Sequence, residues 1–536
     1  MVGNIKKLNL TKLKLKKNIM VGKILLELNN QQDISLNALV LVQRNGLEGQ
    51  KYKFPIKLIK KYGKKNILQF NIDLQKVDWK PYYWDVFVSL SNSNGEDYEE
   101  RVKLSKFFLR MRMNFSPFIK SVSVSEENHV FPYCTYHGSF SLTYKTKMWY
   151  ESKVYQWKWV LALLTYVILM PYLNMRNIWL GFEKNSNTAQ DNGFTFFKYC
   201  YIEQKHKNFF YVIKKSSSDM MKLNELKDKV LIFMSFKYML YLLASRLLIS
   251  SESRAHIYDI RINRGLIRRI INKKRQIFLQ HGVIGLKRVD NIYKKKSINS
   301  MNLFITSSHF EKEIILNHFG YDDQEIAVTG LSRWDNIENK VKDNKILIVP
   351  TWRSWMDDIS GEEFLETVYY KNYSQLVNSR AFLSVIEAND LKVNFFLHPK
   401  FEQYANFFSI ENDKVNILTS GNAILSEEIM ESSLLITDYS SVAWDMYYLK
   451  KPIIFFQFDL QNYLDMQGSY MNFSKELIGD QVFDIKKLVN ILEIYAKNKF
   501  EFKGIYMRNR KKYITYEDSC NNERIYKALM YYLNNK

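Results

Sequence analysis

From residue 177 to residue 330 the chain repeats one pattern: a short apolar strand, then a stretch long enough for a helix. The strands read as NIWLGF (177–182), FFYVI (209–213), VLIFMS (230–235), RLLISS (246–251), QIFLQH (276–281), LFITSS (303–308) and IAVTG (326–330). Apolar runs of this length, alternating with helices, predict parallel strands covered on both faces, a doubly wound α/β unit. The pattern then restarts with KILIVP (345–350), NFFLHP (394–399), VNIL (415–418), LLITD (434–438) and PIIFF (452–456), and helices are expected at 375–388 and 441–450. A last helix is expected over 517–534 and is free to pack back across the α/β units.

What precedes residue 145 differs. KILLEL, ALVLVQ, YKFPIKLI, ILQFNIDL, YWDVFVSL and GSFSLTY are β-branched and aromatic, and Asn45-Gly46, Tyr62-Gly63 and Asn94-Gly95 supply turn signals between them. A β-rich, sandwich-like domain is expected here. Length alone suggests two to four domains. The division reads as 1–145, a β-rich accessory domain; 146–340, a first α/β half; and 341–536, a second α/β half, nucleotide-binding, with the C-terminal helix. Two consecutive α/β units of this kind resemble the GT-B architecture, a pair of Rossmann-type domains.

Between these regions lies WVLALLTYVILMPYL (159–173), the best membrane candidate. Its roughly 15 residues fall short of the ~20 that span a bilayer, and Pro171 interrupts it. It reads equally as a buried helix or as one dipping into a single leaflet. The basic N-terminus lacks an apolar h-region, which argues against a secretory signal. Cys134, Cys200 and Cys520 are too few and too far apart for a disulfide framework or a zinc site, and fit a reducing cytosol. A formal charge of +23 favours anionic partners such as phosphate polymers, nucleic acid or an anionic leaflet, or else reflects only a lysine-rich solvated surface.

Ligands of open α/β sheets bind at the carboxyl ends of strands. Four such ends carry groups able to handle phosphate or protons: His281-Gly282, Thr351-Trp352-Arg353, His398-Pro399-Lys400, and Thr437-Asp438 with Ser440-Ser441. One decorated strand end means little, whereas four point to a shared site. His281 is a candidate base for an attacking hydroxyl, and Gly282 lets backbone approach a ligand closely. Arg353 is placed to bond a diphosphate, and His398 to stabilise developing phosphate charge. Asp438 is placed to orient a hydroxyl or ribose. Ser440 and Ser441 serve either as helix cap or as phosphate ligands at a helix N-terminus. For each histidine taken singly, a bland loop role is the commoner outcome. GxxxxGK[ST], HExxH, paired CxxC, Asp-x-Asp and GxGxxG are all absent from the sequence, which argues against P-loop, zincin and dinucleotide chemistry.

QHGVIGLKRV, TSSHFEKEII, VTGLSRWDNI, IVPTWRSW, FFLHPKF and TDYSSVAWDMYYLKKPIIFF, in this order, resemble the CDP-glycerol glycerophosphotransferase family of teichoic acid primases and polymerases. IWLGFEKNSNTAQDNGFTFFKY (178–199) resembles its upstream motif. The resemblance spans roughly residues 175–475. It implies a GT-B fold and monotopic attachment to the cytoplasmic face of the membrane. It also implies CDP-glycerol or CDP-ribitol as donor, a lipid-linked teichoic acid primer or polymer as acceptor, and no metal or other cofactor. His281 matches the family's base and His398 a second histidine near the phosphates. Arg353, Ser440 and Ser441 match positions contacting diphosphate or nucleotide. Gly282, Thr351, Lys400, Thr437 and Asp438 complete the expected substrate-binding set. The chain departs from the family at Ser332-Arg333 (for Pro-Arg), Gln467-Gly468 (for Arg-Gly) and Ile478-Gly479 (for Pro-Gly). Two other readings compete: a GT-B glycosyltransferase using a nucleotide sugar, and a non-catalytic basic module on a membrane or polymer. Nucleic-acid binding has no motif to support it, and a homo-oligomer is left open.

Overall fold

The computed structural model describes the chain except for residues 1–4, 30–34, 45–49, 92–94, 115–120, 136, 263–264, 342–343, 358, 411 and 536. It divides into two compact units. The first comprises Met1–Leu173, Met234–Ala244 and Asp259–Lys273. The second comprises Asn174–Phe233, Ser245–Tyr258 and Lys274–Lys536.

The first unit holds two antiparallel sheets around one core. A four-stranded sheet runs Ile5–Lys16, Ile19–Leu28, Lys65–Asp73, Ile56–Tyr62 in spatial order. A seven-stranded sheet is centred on Ser35–Gln43, Tyr82–Ser91 and Phe140–Thr146. Leu8, Met20, Ile24 and Phe70 of one sheet pack with Leu39, Trp84, Val86 and Leu142 of the other. The stretch YKFPIKLI, expected as one strand, is two: Lys51–Phe54 pairs in one sheet and Ile56–Tyr62 in the other. Pro55 between them has no N–H to donate to a ladder, so the chain changes sheets there. Of the expected turns, Gly63 and Gly95 take the left-handed conformation that glycine permits. Asn45-Gly46 and Asn94 lie outside the described residues.

The apolar run is part of a longer helix than its sequence predicts. Lys153–Met175 is helical over 23 residues with Pro171 inside it, long and apolar enough to cross a membrane. The mixed segment Lys153–Lys158 extends it at the front, and Pro171 does not end it. Only Trp159, Ala162 and Leu173 of this helix are buried, while Leu161, Leu164, Val167 and Ile168 are exposed. Trp159 stacks edge-on against Tyr238 of the same unit.

The second unit contains two parallel sheets. The first has the spatial order Val230–Ile232, Phe209–Ile213, Trp179–Phe182, Leu247–Ser250, Arg275–Phe278, Leu303–Thr306, Ile326–Val328. All seven coincide with the expected strands. The second runs Val415–Leu418, Lys392–Phe396, Lys345–Val349, Leu434–Thr437, Ile453–Phe456, Asp480–Val482. In both, the order reverses beside the strand that comes first in the chain, Trp179–Phe182 in one sheet and Lys345–Val349 in the other. That topological switch opens a crevice at the carboxyl ends, where ligands of such sheets bind. The helix expected at 375–388 is two, Val368–Val377 and Arg380–Ala388, because Ser379 caps the second with its side chain. The C-terminal helix Asn521–Asn534 returns to the first parallel sheet, placing Ile525, Leu529 and Tyr532 in the core with Trp179, Phe196 and Ile277.

Candidate active site

His281 follows the strand Arg275–Phe278 after Leu279 and one strained residue. Gln280 has φ +65°, unusual for a side chain with a Cβ. It is pinned on both sides: its amide donates to the Ile305 carbonyl (2.8 Å), and its own carbonyl accepts from the Asn192 amide (2.7 Å). Strain held this firmly is of the kind that clusters at functional turns. His281 Nδ1 lies 2.8 Å from Asp191 Oδ2 and 3.8 Å from Glu252 Oε1. A proton on Nδ1 is therefore held by carboxylates, and Nε2 has no partner among the described residues. Burial among protein atoms pulls the imidazole down, but the Asp191 hydrogen bond and charge, helped by Glu252, outweigh it and push it up to about 9. The ring itself is 67% exposed. Solvent therefore screens part of this shift, and the upward direction is what the geometry carries.

Asp191 is itself built in. Its Oδ1 accepts from the Asn192 N–H at 2.8 Å, capping the helix Asn192–Ile202, and also from Arg333 Nη1 at 2.9 Å. Burial raises its pKa; His281 and Arg333 outweigh that and hold the carboxyl down. Glu183 accepts from the backbone N–H groups of Gln190, Asp191 and Phe194, each within 2.9 Å, and so fixes the loop that presents Asp191. Arg333 continues the chain. It donates to the His281 carbonyl (2.8 Å) and forks onto Asp445 (3.0 Å to each oxygen), which lies on the helix Val442–Tyr448 of the second sheet. At Gly282 a Cβ would fall 2.7 Å from Ser441 Oγ, so glycine is what lets the two halves of this unit approach there.

The strand ends at His398 and Trp352 meet Lys287 of the loop after His281 in a cationic cluster. His398 Nδ1 accepts the Lys400 N–H at 3.2 Å, which leaves the ring proton on Nε2. Burial, together with the charges of Lys184, Lys287, Lys400 and His281, pushes its pKa down to about 3. His398 is thus a neutral hydrogen-bond donor. The Trp352 ring stacks near it, with Lys400 Nζ 4.1 Å and Lys287 Nζ 5.3 Å from the indole centroid. Lys400 also pairs with Asp357 at 2.9 Å. Burial lowers the pKa of Lys287, and Arg353 and Lys400 lower it further.

Arg353 requires a correction. It is 1% exposed and already saturated: Asp438 Oδ2 at 2.8 Å, Asp459 at 3.0 Å and the Thr351 carbonyl at 2.7 Å, amid the rings of Tyr439, Tyr463 and Tyr369. It ties three strand-end loops together beneath the crevice and has no free face for a diphosphate. Thr437 and Asp438 are equally internal. The Thr437 hydroxyl donates to the Val349 carbonyl (2.6 Å), and Asp438 Oδ1 accepts from the Thr351 and Tyr439 N–H groups. Burial, not ligand, accounts for these two. Thr351 Oγ1, in contrast, has no partner among the described residues. Ser440 Oγ accepts from the Val442 N–H at 3.3 Å, and Ser441 makes no capping bond with its side chain. Among the described residues no group of three or more His, Cys, Asp or Glu side chains is arranged to hold a metal.

Asp191, Glu252, Arg333, Asp445 and Lys287 are not singled out by the strand-end rule. Glu252 lies within its reach, since it directly follows the strand Leu247–Ser250 and Ser251. Two departures from the family pattern have local reasons. Ser332 donates to Asn522 of the C-terminal helix at 2.5 Å, and Gln467 donates to the Arg288 carbonyl at 2.7 Å.

The model of the CDP-Glycerol:Poly(glycerophosphate) glycerophosphotransferase family matches residues 163–531. The chain is 28% identical over 375 residues to the minor teichoic acid biosynthesis protein GgaB of Bacillus subtilis, covering 68% of this chain and 41% of GgaB. It is 26% identical over 250 residues to the teichoic acid glycerol-phosphate transferase of Staphylococcus aureus, covering 43% of this chain and 61% of that one. The chain thus spans less than two thirds of the length of these relatives. The solved wall teichoic acid polymerase TagF superposes with a TM-score of 0.50 at 16% identity, over 71% of this chain and all of that one, which shows a shared fold. With more than half of its length matched, the chain belongs to the CDP-glycerol:poly(glycerophosphate) glycerophosphotransferase family.

Proposed function

We propose that the chain transfers glycerol phosphate or ribitol phosphate from a CDP-alditol to a teichoic-acid-type polymer or its lipid-linked primer, releasing CMP. The observation that carries this is the pairing of two unlike histidines across one crevice. His281 is clamped by carboxylates with Nε2 free, and His398 is a neutral donor inside a ring of lysines. A nucleophilic hydroxyl needs the first, and a diphosphate leaving group needs the second. The acceptor hydroxyl attacks the β-phosphorus of CDP-alditol as His281 Nε2 takes its proton. A new P–O bond forms to the acceptor, the bond to the α-phosphate oxygen breaks, and CMP leaves. Asp191 and Glu252 stabilise the imidazolium that results. His398 Nε2–H, Lys287 and Lys400 stabilise charge on the departing phosphate, and Trp352 offers a flat apolar face beside them. Thr351, Ser440 and Ser441 supply hydroxyls to the donor, with Gly282 leaving them room. Arg353 and Asp438 act by holding the loops. Most of the acceleration then comes from positioning and fixed charge.

The two parallel sheets of the second unit are read as the halves of a GT-B enzyme, joined near residue 340, with nucleotide against the second. The exposed apolar face of the helix Lys153–Met175 supports a monotopic or peripheral place on the cytoplasmic face of the membrane. The test is the identity of the nucleotide released. Purified protein with CDP-glycerol or CDP-ribitol and a lipid-linked acceptor analogue should yield CMP. UDP or GDP from a nucleotide sugar, with no CMP from either CDP-alditol, would replace this reading by a glycosyltransferase.

A further inference from the structure

The four-stranded sheet of the first unit turns Leu8, Met20, Ile24, Leu68, Phe70 and Ile72 into the core and leaves a largely basic face outside. Its strands carry ten lysines against two carboxylates, Glu27 and Asp73. The register makes the placement specific. Lys12 pairs with Lys23, Lys23 with Gln69 and Gln69 with Lys57, so three of the four positions in one row across the sheet are lysine. Neighbouring strands lie about 4.8 Å apart, so Lys12 and Lys23 are like charges directly opposite each other, which destabilises a sheet. Along the first strand Lys12, Lys14 and Lys16 recur with period two, about 6.8 Å apart. Glu27 is already taken by Lys6 at 3.0 Å and Lys7 at 3.8 Å. Among the described residues, Lys12, Lys14, Lys16, Lys23 and Lys57 have no carboxylate at ion-pair distance.

We infer that this face binds an extended phosphodiester polymer carrying one charge per repeat. A row and a file of unneutralised lysines, kept at a cost to the sheet, call for a partner that brings negative charge at regular intervals. Gln69 and Asn71 stand among them and offer hydrogen bonds to phosphate oxygens or free hydroxyls. Val21, Leu25 and Ile67 on the same face are half-buried, and the exposed apolar side chains Ile19, Leu58, Ile59 and Tyr62 lie at a strand start or on the edge strand, so the central row of the face presents charge rather than an inserting apolar anchor. That favours a polymer over a bilayer. The identification of this polymer as the enzyme's own acceptor rests on the proposed function. A chain held here stays with the enzyme between transfers.

The test measures binding of poly(glycerol phosphate) to the full chain by fluorescence anisotropy across a salt series. Lys12→Gln, Lys14→Gln, Lys23→Gln and Lys57→Gln are combined in one variant. A control combines Lys475→Gln, Lys486→Gln, Lys487→Gln and Lys497→Gln, an equal charge change on exposed residues of the second unit. The sheet variant should bind at least tenfold more weakly with a shallower salt dependence, and the control as wild type. Removing the Lys12–Lys23 repulsion should leave its melting temperature unchanged or raised, so loss of binding is not loss of fold. Equal weakening in both variants, no weakening in either, or a loss seen only with anionic vesicles would overturn the inference. His281→Ala, measured alongside, should bind polymer normally. Polymer binding by the sheet in a protein that releases no CMP would sink the transferase reading and leave this inference standing.

Discussion

Replacing Asp191 by asparagine should move the pH dependence of turnover to lower pH. Asp191 Oδ2 sits 2.8 Å from His281 Nδ1 and is the leading reason its pKa stands at about 9 and not at the ordinary value near 6.5. Only the neutral imidazole can accept a proton, so the wild-type rate should climb through neutral pH and level off above about 9. The asparagine's single oxygen can keep the helix cap, but its amide N–H then faces His281 Nδ1, so both the charge and the acceptor for the Nδ1 proton are lost. Glu252, at 3.8 Å, remains, and solvent already screens an open ring, so the expected shift is about 1–2 pH units rather than the full difference. The rate on the high-pH plateau should fall as well, because a less basic imidazole is a weaker general base. Initial rates of CMP release from pH 5.5 to 10, at subsaturating and saturating donor, measure both effects. An unshifted profile, or an upward shift, would refute the clamp as the source of the basicity of His281.

Four further outcomes are expected. His398→Gln, which keeps an N–H donor, should retain more turnover than His398→Ala, which should lose roughly 10²–10³-fold; equal losses would argue against a neutral donor. Arg353→Met leaves Asp438 and Asp459 unpaired in the interior and should destabilise the fold by about 3–5 kcal/mol. An unchanged melting temperature with a raised KM for donor would instead place Arg353 on the substrate. Because the folded pKa of His281 lies above its unfolded value, its contribution to stability is complete below about pH 6.5 and vanishes as pH rises through about 9; His281→Gln should therefore flatten the alkaline decline of the melting temperature. Leu161→Glu with Ile168→Glu should release the protein from anionic vesicles in flotation, while solubility and fold are kept.

The parallel sheets are legible because strands buried on both faces carry continuous apolar runs, which six of the first seven do over three or more residues, while Arg275–Phe278 (Arg-Gln-Ile-Phe) gains its run from Leu279 beyond its end. Asp480–Val482 escapes because three residues, Asp-Gln-Val, at a sheet edge carry no such run. In the first unit, bulges after Ile5 and Leu10 break the alternation of Ile5–Lys16, so its leucines do not read as one strand. Pro132 similarly masks Asn128–Cys134. The strand-end rule locates the crevice, yet it cannot tell a lining residue from a supporting one. Arg353 and Thr437 look alike in sequence to any polar residue after a strand. What buries Arg353 is Asp459, 106 positions away and in no motif. His281 is likewise defined by Asp191, 90 positions upstream.

The most direct test of the account is the stoichiometry of CMP released to phosphodiester added, measured for the wild type and for His281→Ala with each CDP-alditol. The account predicts one CMP per unit added with at least one donor, and a loss of both signals together in the variant. Polymer growth without CMP, or undiminished CMP release from His281→Ala, would contradict it.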